Sequence, residues 1–175
     1  MNITQLTVFA VIFYFVFLVA VIHFTRAISR RAWGAIAGGL AVAIVGIAIE
    51  WICEALGLWR YPYSSSPVGP PIIYPALLMQ FAVLALLGWR ASRRWGRRGL
   101  TFFVVAVTGI GGIRDYSYSR FYPGLMTLKP GLPTLCVDLL CWFGLMFLAM
   151  AVMYKIAGPS TKDPLARSPS PGVPH

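Results

Sequence analysis

Charged residues are scarce in this sequence, where they make up 11% of the 175 residues, whereas hydrophobic residues make up 58%. Soluble domains carry about 25% charged residues. This composition, with a mean hydropathy of +0.74, therefore argues against a soluble globular protein and predicts an integral membrane protein. The length allows one compact bundle and no additional globular domain.

Metal-binding and nucleotide-binding motifs are also missing. The two histidines, His23 and His175, are far apart, and the three cysteines, Cys53, Cys136 and Cys141, form no Cys-x-x-Cys motif. The sequence also has no Gly-rich phosphate loop and no Ser/His pair, so we predict no metal site and no cofactor. A Cys53–Cys136 disulfide and free buried thiols are the two alternatives for the cysteines.

Basic residues outnumber acidic ones and give a net charge of +10. They lie in short segments between apolar runs, where such residues set the topology of a membrane protein. We therefore expect membrane lipids, and not nucleic acid, as partners of the basic segments. The arginine-rich segment at residues 90–98 is interpreted in the same way, as a topology anchor on anionic lipid, with docking of an acidic partner as the alternative.

Five apolar runs predict transmembrane helices, at about residues 6–25, 33–56, 72–89, 99–118 and 133–156. The fourth run is short and can cross only if it continues through Arg114 and Asp115. We predict an all-α, polytopic integral membrane protein in which residues 1–157 form a bundle of five transmembrane helices. The Pro/Ser-rich residues 158–175 are predicted to be a disordered cytoplasmic tail.

The distribution of Lys and Arg predicts the orientation of this bundle. With five spans, eleven basic residues lie on one side and four on the other. Because basic residues accumulate on the cytoplasmic side, the N-terminus is predicted outside and the C-terminus in the cytoplasm. The expected location is a bacterial-type inner (cell) membrane.

Glycines at a four-residue spacing, Gly34, Gly38 and Gly46, mark one stripe of the second span. Small residues at this spacing allow two membrane helices to pack closely. The neighbouring helix can belong to the same chain, to a partner protein or to a second copy in a homo-oligomer.

The sequence has only five acidic residues, and four of them lie in or beside apolar spans: Glu50, Glu54, Asp115 and Asp138. The predicted topology brings them, together with Gln80, to the outer half of the bundle. Ionisable groups at membrane depth are costly and point to a functional site. The alternative is a set of structural salt bridges to arginine, with Arg114 beside Asp115 as the example.

Two loops rich in aromatic residues cover the same half of the bundle. They contribute Trp59, Tyr61, Tyr63, Tyr116, Tyr118 and Tyr122. These rings are expected either to form an interfacial aromatic belt or, for a few of them, to line a pocket.

A weak internal repeat relates the two halves. Glu50 is followed by GLWRYP at residues 57–62, and Asp115 by GLMTLKP at residues 124–130. Five residues separate Pro75 from Gln80 and likewise Pro133 from Asp138. These matches predict two repeated helical hairpins plus one added helix, with a site at their interface, and chance similarity between apolar sequences is the alternative.

The chemistry available to these residues is acid–base chemistry. A carboxyl group in apolar surroundings can stay protonated and act as an acid, a second carboxylate can take a proton back, and aromatic faces stabilise positive charge. We therefore predict protonation of a carbon–carbon double bond in a lipid-soluble substrate. The candidate catalytic residues are Glu50, Asp115 and Asp138, and the candidate substrate-binding residues are Glu54, Trp59, Tyr61, Gln80 and Arg114.

Residues 50–80 resemble bacterial membrane proteins of carotenoid biosynthesis. The similarity rests on Glu50, on GLWRYPY at residues 57–63 and on the proline-led PPIIYP at residues 70–75. The families concerned are the carotenoid hydratases and, more distantly, the lycopene-cyclase-like and integral-membrane terpene cyclases. The resemblance implies that acidic side chains at helix ends donate the proton that initiates cyclisation or hydration of an isoprenoid or carotenoid lipid.

A non-enzymatic bundle is the competing hypothesis. A small membrane protein with this sequence could bind a lipid, serve as an accessory subunit of a larger membrane complex, or act as a small transporter. The glycine stripe and the adjacent Arg114 and Asp115 fit that interpretation equally well. Loss of activity without loss of fold after substitution of an acid would distinguish an enzyme from it.

Overall fold

The computed structural model describes residues 3–62 and 73–162, and helices dominate this part of the chain. The helices are α1 (Ile3–Thr25), α2 (Ser29–Ala55), α3 (Ile73–Phe121) and α4 (Leu132–Ala157), followed by a 3₁₀ helix at Ser160–Lys162. Strands β1 (Trp59–Arg60) and β2 (Thr127–Leu128) form a small sheet. The all-α prediction is confirmed, and four helices are long and apolar enough to cross a membrane.

Helix α3 is bent sharply at Gly96. This residue has φ 64° and ψ −151°, a conformation that glycine adopts far more readily than other residues. Arg114 and Gln80 are 34 residues apart, yet Arg114 Nη1 lies 3.3 Å from Gln80 Oε1. A straight helix would separate them by about 50 Å, so the two arms of α3 (residues 73–95 and 97–121) lie side by side.

The prediction of five separate helices is not confirmed. The spans predicted at residues 72–89 and 99–118 are the two arms of the single helix α3. The segment between them, expected to be a loop, is helical except at Gly96. Arginine favours helix, so this charged segment can continue the helical turns on both sides of the glycine.

The α1–α2 junction, the bend of α3 and the end of α4 meet at one end of the bundle, which we call the basic end. Arg90 Nη1 donates to the Phe24 carbonyl oxygen at 2.7 Å, which joins α3 to the end of α1. Arg30 Nε donates to the Ile156 carbonyl oxygen at 2.6 Å, which joins α2 to the end of α4. The carbonyl groups at helix ends lack intrahelical partners, so these arginines stabilise both termini.

The 3₁₀ helix after α4 belongs to this same end. Ser160 is buried, and its hydroxyl shares a 2.8 Å hydrogen bond with that of Ser92. Ordered structure therefore continues past residue 158, where the tail was predicted to begin. Residues 163–175, the remainder of that predicted tail, lie outside the described residues.

The opposite end, which we call the loop end, is closed by the two strands. β1 pairs with β2 in antiparallel fashion, with Trp59 opposite Leu128 and Arg60 opposite Thr127. The segment after α2 is thereby joined to the segment between α3 and α4. Residues 63–72, which include Tyr63 and Pro70 of the predicted aromatic loop, lie outside the described residues.

Helix α2 packs against α3 and α4 through glycines. A methyl group on Gly38 would lie 2.6 Å from the Ala149 carbonyl oxygen, and one on Gly39 would overlap the carbonyl oxygen of Leu78. A methyl group on Gly34 would lie 3.3 Å from the Met153 carbonyl oxygen, and one on Gly46 would lie 3.1 Å from the Leu77 side chain. The predicted stripe thus packs against helices of the same chain, and Gly39, which is outside the stripe, makes the closest approach.

Large apolar side chains cover much of the outer surface of these helices. Those exposed include Phe13 and Phe17 on α1, Ile44 on α2, Phe102 on α3 and Phe147 on α4. The centre contains large apolar residues such as Phe81 and Met146 together with small ones such as Ala35 and Ala149. Large apolar side chains on the outer surface are typical of helices in a bilayer, where they face the lipid.

We predict that Gly39→Ala destabilises the bundle by about 1–3 kcal/mol, because the added methyl group would overlap the backbone of α3. Gly144→Ala on the exposed face of α4 is the matched control, since nothing lies within 4 Å of its added methyl group. Titration with a denaturing detergent would measure both free energies of unfolding. Equal stability of the two variants would contradict the observed helix contact.

Candidate functional site

Four of the polar side chains predicted as site residues lie in the half of the bundle nearer the loop end. Arg114 and Asp115 are in the second arm of α3, Gln80 is in the first arm, and Asp138 is in α4. Asp115 and Asp138 are six residues from the loop-end termini of their helices, about 9 Å along the helix axis. The fold therefore brings four of the predicted site residues together.

The centre of this group is an ion pair between neighbouring residues. Arg114 Nε and Nη2 both donate to Asp115 Oδ1, at 2.9 and 2.8 Å. The remaining Arg114 nitrogen, Nη1, donates to Gln80 Oε1 at 3.3 Å. The Arg114 side chain is 34% exposed and that of Asp115 only 9%, so the carboxylate is the more deeply buried partner.

Trp142 of α4 forms a hydrogen bond with the second carboxylate oxygen of Asp115. Its Nε1 donates to Asp115 Oδ2 at 2.7 Å. The indole ring stacks on Phe81 with centroids 5.5 Å apart, and the Arg114 guanidinium lies 4.6 Å from the ring centroid. A side chain at Gly111 would overlap the indole, so glycine at this position makes room for the contact.

Tyrosines flank the exposed side of Arg114. The guanidinium lies 5.8 Å from the centre of the Tyr118 ring, and Tyr14 of α1 interacts with Arg114 and Tyr118. Tyr118 was predicted as part of the aromatic belt or of a pocket wall. Its position beside Arg114 places this ring next to the buried ion pair.

Asp138 lies beside this network, but no arginine or indole in the described part of the chain donates to its carboxyl group. The residue is 3% exposed, and its Oδ2 has no hydrogen-bond donor among the described residues. Its carboxyl group lies within hydrogen-bonding reach of Asp115 and interacts electrostatically with Arg114. The same oxygen lies 3.4 Å from the position that a Gly112 methyl group would occupy. A buried polar atom without a partner is costly and rare, so this oxygen is the strongest indication of a ligand-facing group.

Glu50 belongs to a separate hydrogen-bonded group. Tyr61 donates to its Oε1 at 3.2 Å, and Tyr74 donates to its Oε2 at 2.7 Å. These bonds join the end of α2 to the segment after β1 and to the first turn of α3. Tyr74 is six residues from Gln80 in α3, about 9 Å along the helix, so the two groups are neighbours in the loop half.

The thiols and two further polar groups lie between α2, α4 and the small sheet. All three cysteines are free, and Cys136 is exposed, so the Cys53–Cys136 disulfide is not formed. Cys53 instead lies within hydrogen-bonding reach of Cys141. Among the described residues, Glu54 Oε2 and Trp59 Nε1 are buried without hydrogen-bond partners, so this part of the chain leaves one acceptor and one donor unused.

Sequence reasoning missed Trp142, Phe81 and Tyr74. The four-residue step from Asp138 to Trp142 places both on one face of α4 and was an available signal. Tyr74 lies within the proline-led PPIIYP segment, and the sequence gives no sign of which acceptor its hydroxyl group meets. Which aromatic ring meets which carboxylate depends on the register between helices, and this register is not encoded in the spacing along one helix.

No protein-family model, curated protein or solved structure matches this chain. The interpretation of the site therefore depends on its geometry.

We predict that Trp142→Phe destabilises the protein by about 1–3 kcal/mol. Phenylalanine retains the stack on Phe81 but removes the donor to Asp115, which leaves a buried carboxylate oxygen unpaired. Trp95→Phe is the matched control, because Trp95 is exposed near the bend of α3. A Trp142→Phe variant as stable as Trp95→Phe in a denaturing-detergent titration would show that the hydrogen bond is not structural.

Proposed function

We propose that this chain is a multi-pass membrane enzyme that protonates a carbon–carbon double bond of an isoprenoid-type lipid, with Asp138 as the acid. The observation that carries the proposal is the buried Asp138 carboxyl group, whose Oδ2 has no donor among the described residues and which lies beside the Asp115 carboxylate and its donors Arg114 and Trp142. The resemblance of residues 50–80 to carotenoid-biosynthesis proteins agrees with this substrate class.

The membrane placement has two supports. The arms of α3 lie side by side, so α1, α2, the two arms and α4 give five crossings. Arginines are concentrated at the basic end, around the α1–α2 junction and the bend at Gly96. We therefore place the basic end in the cytoplasm, with the N-terminus and the loop end outside.

The environments of the two aspartates assign different roles to them. Asp115 receives a guanidinium and an indole N–H, which stabilise its negative charge. A second negative charge next to it, without its own cation, is unfavourable. Asp138 is thus the member of the pair that holds a proton, and Asp115 is the carboxylate that balances positive charge.

Proton transfer from Asp138 breaks its O–H bond and forms a C–H bond at one alkene carbon, which leaves a carbocation on the lipid. The Asp115 carboxylate and the face of the exposed Tyr118 ring stabilise such a cation. A second double bond of the lipid then attacks this cation, which forms a carbon–carbon bond and closes a ring. Return of a proton to Asp138 from a carbon next to the new cation completes the cyclisation. Addition of water to the cation, followed by loss of a proton, gives a hydrated product instead.

The other candidate residues have supporting roles in this proposal. Glu50 accepts two phenolic hydrogen bonds and so positions the loop end and does not donate the proton. The unused acceptor of Glu54 and donor of Trp59 are suited to a polar group on the substrate. Gln80 orients Arg114 and through it the charge of Asp115.

A non-enzymatic bundle is the second candidate, and one observation favours it. The bonds that Arg114, Asp115, Gln80 and Trp142 make with one another connect both arms of α3 to α4. A network of this kind would also stabilise an accessory subunit or a lipid-binding protein that has no chemistry of its own.

We predict that Asp138→Asn lowers product formation about 10²–10⁴-fold, the usual contribution of a general acid. The chain would be expressed in a bacterium that makes carotenoids and prenyl quinones, and its lipid extract analysed by mass spectrometry. Because asparagine keeps the shape of Asp138 and its amide group can still donate to the neighbouring Asp115 carboxylate, the isosteric variant is expected to keep wild-type levels of folded protein.

Asp115→Asn is the comparison variant, since it weakens the ion pair and is expected to lower stability as well as activity. No new isoprenoid product with the wild-type chain would contradict the enzyme proposal. Loss of folded protein in Asp138→Asn would instead favour the structural bundle.

We predict that Lys129→Cys is labelled in intact cells by a membrane-impermeant maleimide and that Lys162→Cys is labelled only after permeabilisation. Both lysines are exposed, Lys129 at the loop end and Lys162 at the basic end. The two variants would be built in a background without the three native cysteines. The reverse labelling pattern would invert the proposed orientation.

A further inference from the structure

A groove of about 460 Å³ runs between the second arm of α3 and α4. Its walls are mostly apolar, with Leu100 and Val104 on α3 and Phe147 and Ala151 on α4. Phe147 is 66% exposed, so the groove opens on the side of the bundle that faces lipid. The groove contains none of the predicted site residues.

Polar and basic groups lie at one end of this groove. Tyr154 lines it and donates its hydroxyl to Ser92 at 2.7 Å. Arg97 and Arg98 are exposed and precede the groove residues Leu100 and Thr101 by less than one helical turn. A ligand in the groove would therefore have its apolar part along α4 and its polar part beside these two arginines.

The charge at this end of the groove is not balanced by acids of the described chain. Glu50, Glu54, Asp115 and Asp138 are the acidic residues within residues 3–62 and 73–162, and all four lie in the loop half. Arg30 and Arg90 at the basic end donate to backbone carbonyls of α4 and α1. Arg97 and Arg98 are exposed, and the membrane placement proposed above puts them near the lipid headgroups.

We infer that the groove binds one membrane phospholipid with an anionic headgroup. One acyl chain lies along Val104, Phe147 and Ala151, and the phosphate group is bound by Arg97 and Arg98. Basic residues at a cytoplasmic membrane surface attract anionic lipid by about 1 kcal/mol each. The inference requires the membrane placement proposed above but does not depend on the chemistry at Asp138.

Native mass spectrometry of the purified chain, titrated with phosphatidylglycerol or with phosphatidylcholine of the same acyl chains, tests this inference. One bound phosphatidylglycerol is expected at a concentration about tenfold lower than phosphatidylcholine requires, because two arginines face its headgroup. Glycerol phosphate, which has the anionic group without the chains, is expected not to bind at these concentrations.

Two variants with matched controls locate the site. Ala151→Phe fills the groove and is expected to abolish retention of phosphatidylglycerol, whereas Ala48→Phe on the exposed face of α2 leaves it unchanged. Arg97→Gln with Arg98→Gln is expected to remove the preference for phosphatidylglycerol. Arg120→Gln with Lys129→Gln removes the same charge at the loop end and is expected to retain the preference.

Several results would overturn the inference. Equal affinity for the two phospholipids would show that the headgroup charge is not recognised. Undiminished binding in a folded Ala151→Phe variant would place the lipid elsewhere, and binding of glycerol phosphate alone would indicate a phosphate site without the groove. A dimer that replaces the bound lipid in the mass spectrum would assign the groove to a second copy of the chain.

Discussion

The Asp115 carboxylate connects the helices that form the candidate site. One oxygen receives two bonds from Arg114, whose third nitrogen reaches Gln80 in the other arm of α3. The second oxygen receives the indole N–H of Trp142 in α4. A buried charge is tolerated only where such partners surround it, so this carboxylate fixes the register between three helical segments.

Helix α2 packs against its neighbours through glycines. Gly38 and Gly39 bring α2 against the backbone of α4 and α3, which suits a bilayer, where apolar side chains gain little by leaving lipid. The glycine spacing predicted this kind of contact from the sequence. It could not identify Gly39 as the closest point, because two partner helices on different sides of α2 break the four-residue period.

The sequence likewise predicted the all-α class, the apolar runs and the grouping of Gln80, Arg114, Asp115 and Asp138. It did not predict that one helix spans residues 73–121, because the bend needs only the backbone freedom of Gly96 and no loop. It also missed Trp142 and Tyr74, because the acceptor that an indole or phenol group meets lies on another helix. Helix faces can be derived from periodicity, but contacts across helices require the three-dimensional register.

Asp115 and Asp138 are the same residue type in one site, yet they differ in the hydrogen bonds that they receive. Both are buried and both lie six residues from a helix end, yet the bonds to Arg114 and Trp142 are made to Asp115. The Oδ2 atom of Asp138 is buried beside Gly112, where Leu139 also packs. In the proposed reaction an acid must meet the double bond that receives its proton, so the lipid has to displace this packing to reach Asp138. Within that proposal the asymmetry of the pair assigns the proton to Asp138, whereas the bonds of Asp115 fit a structural role equally well.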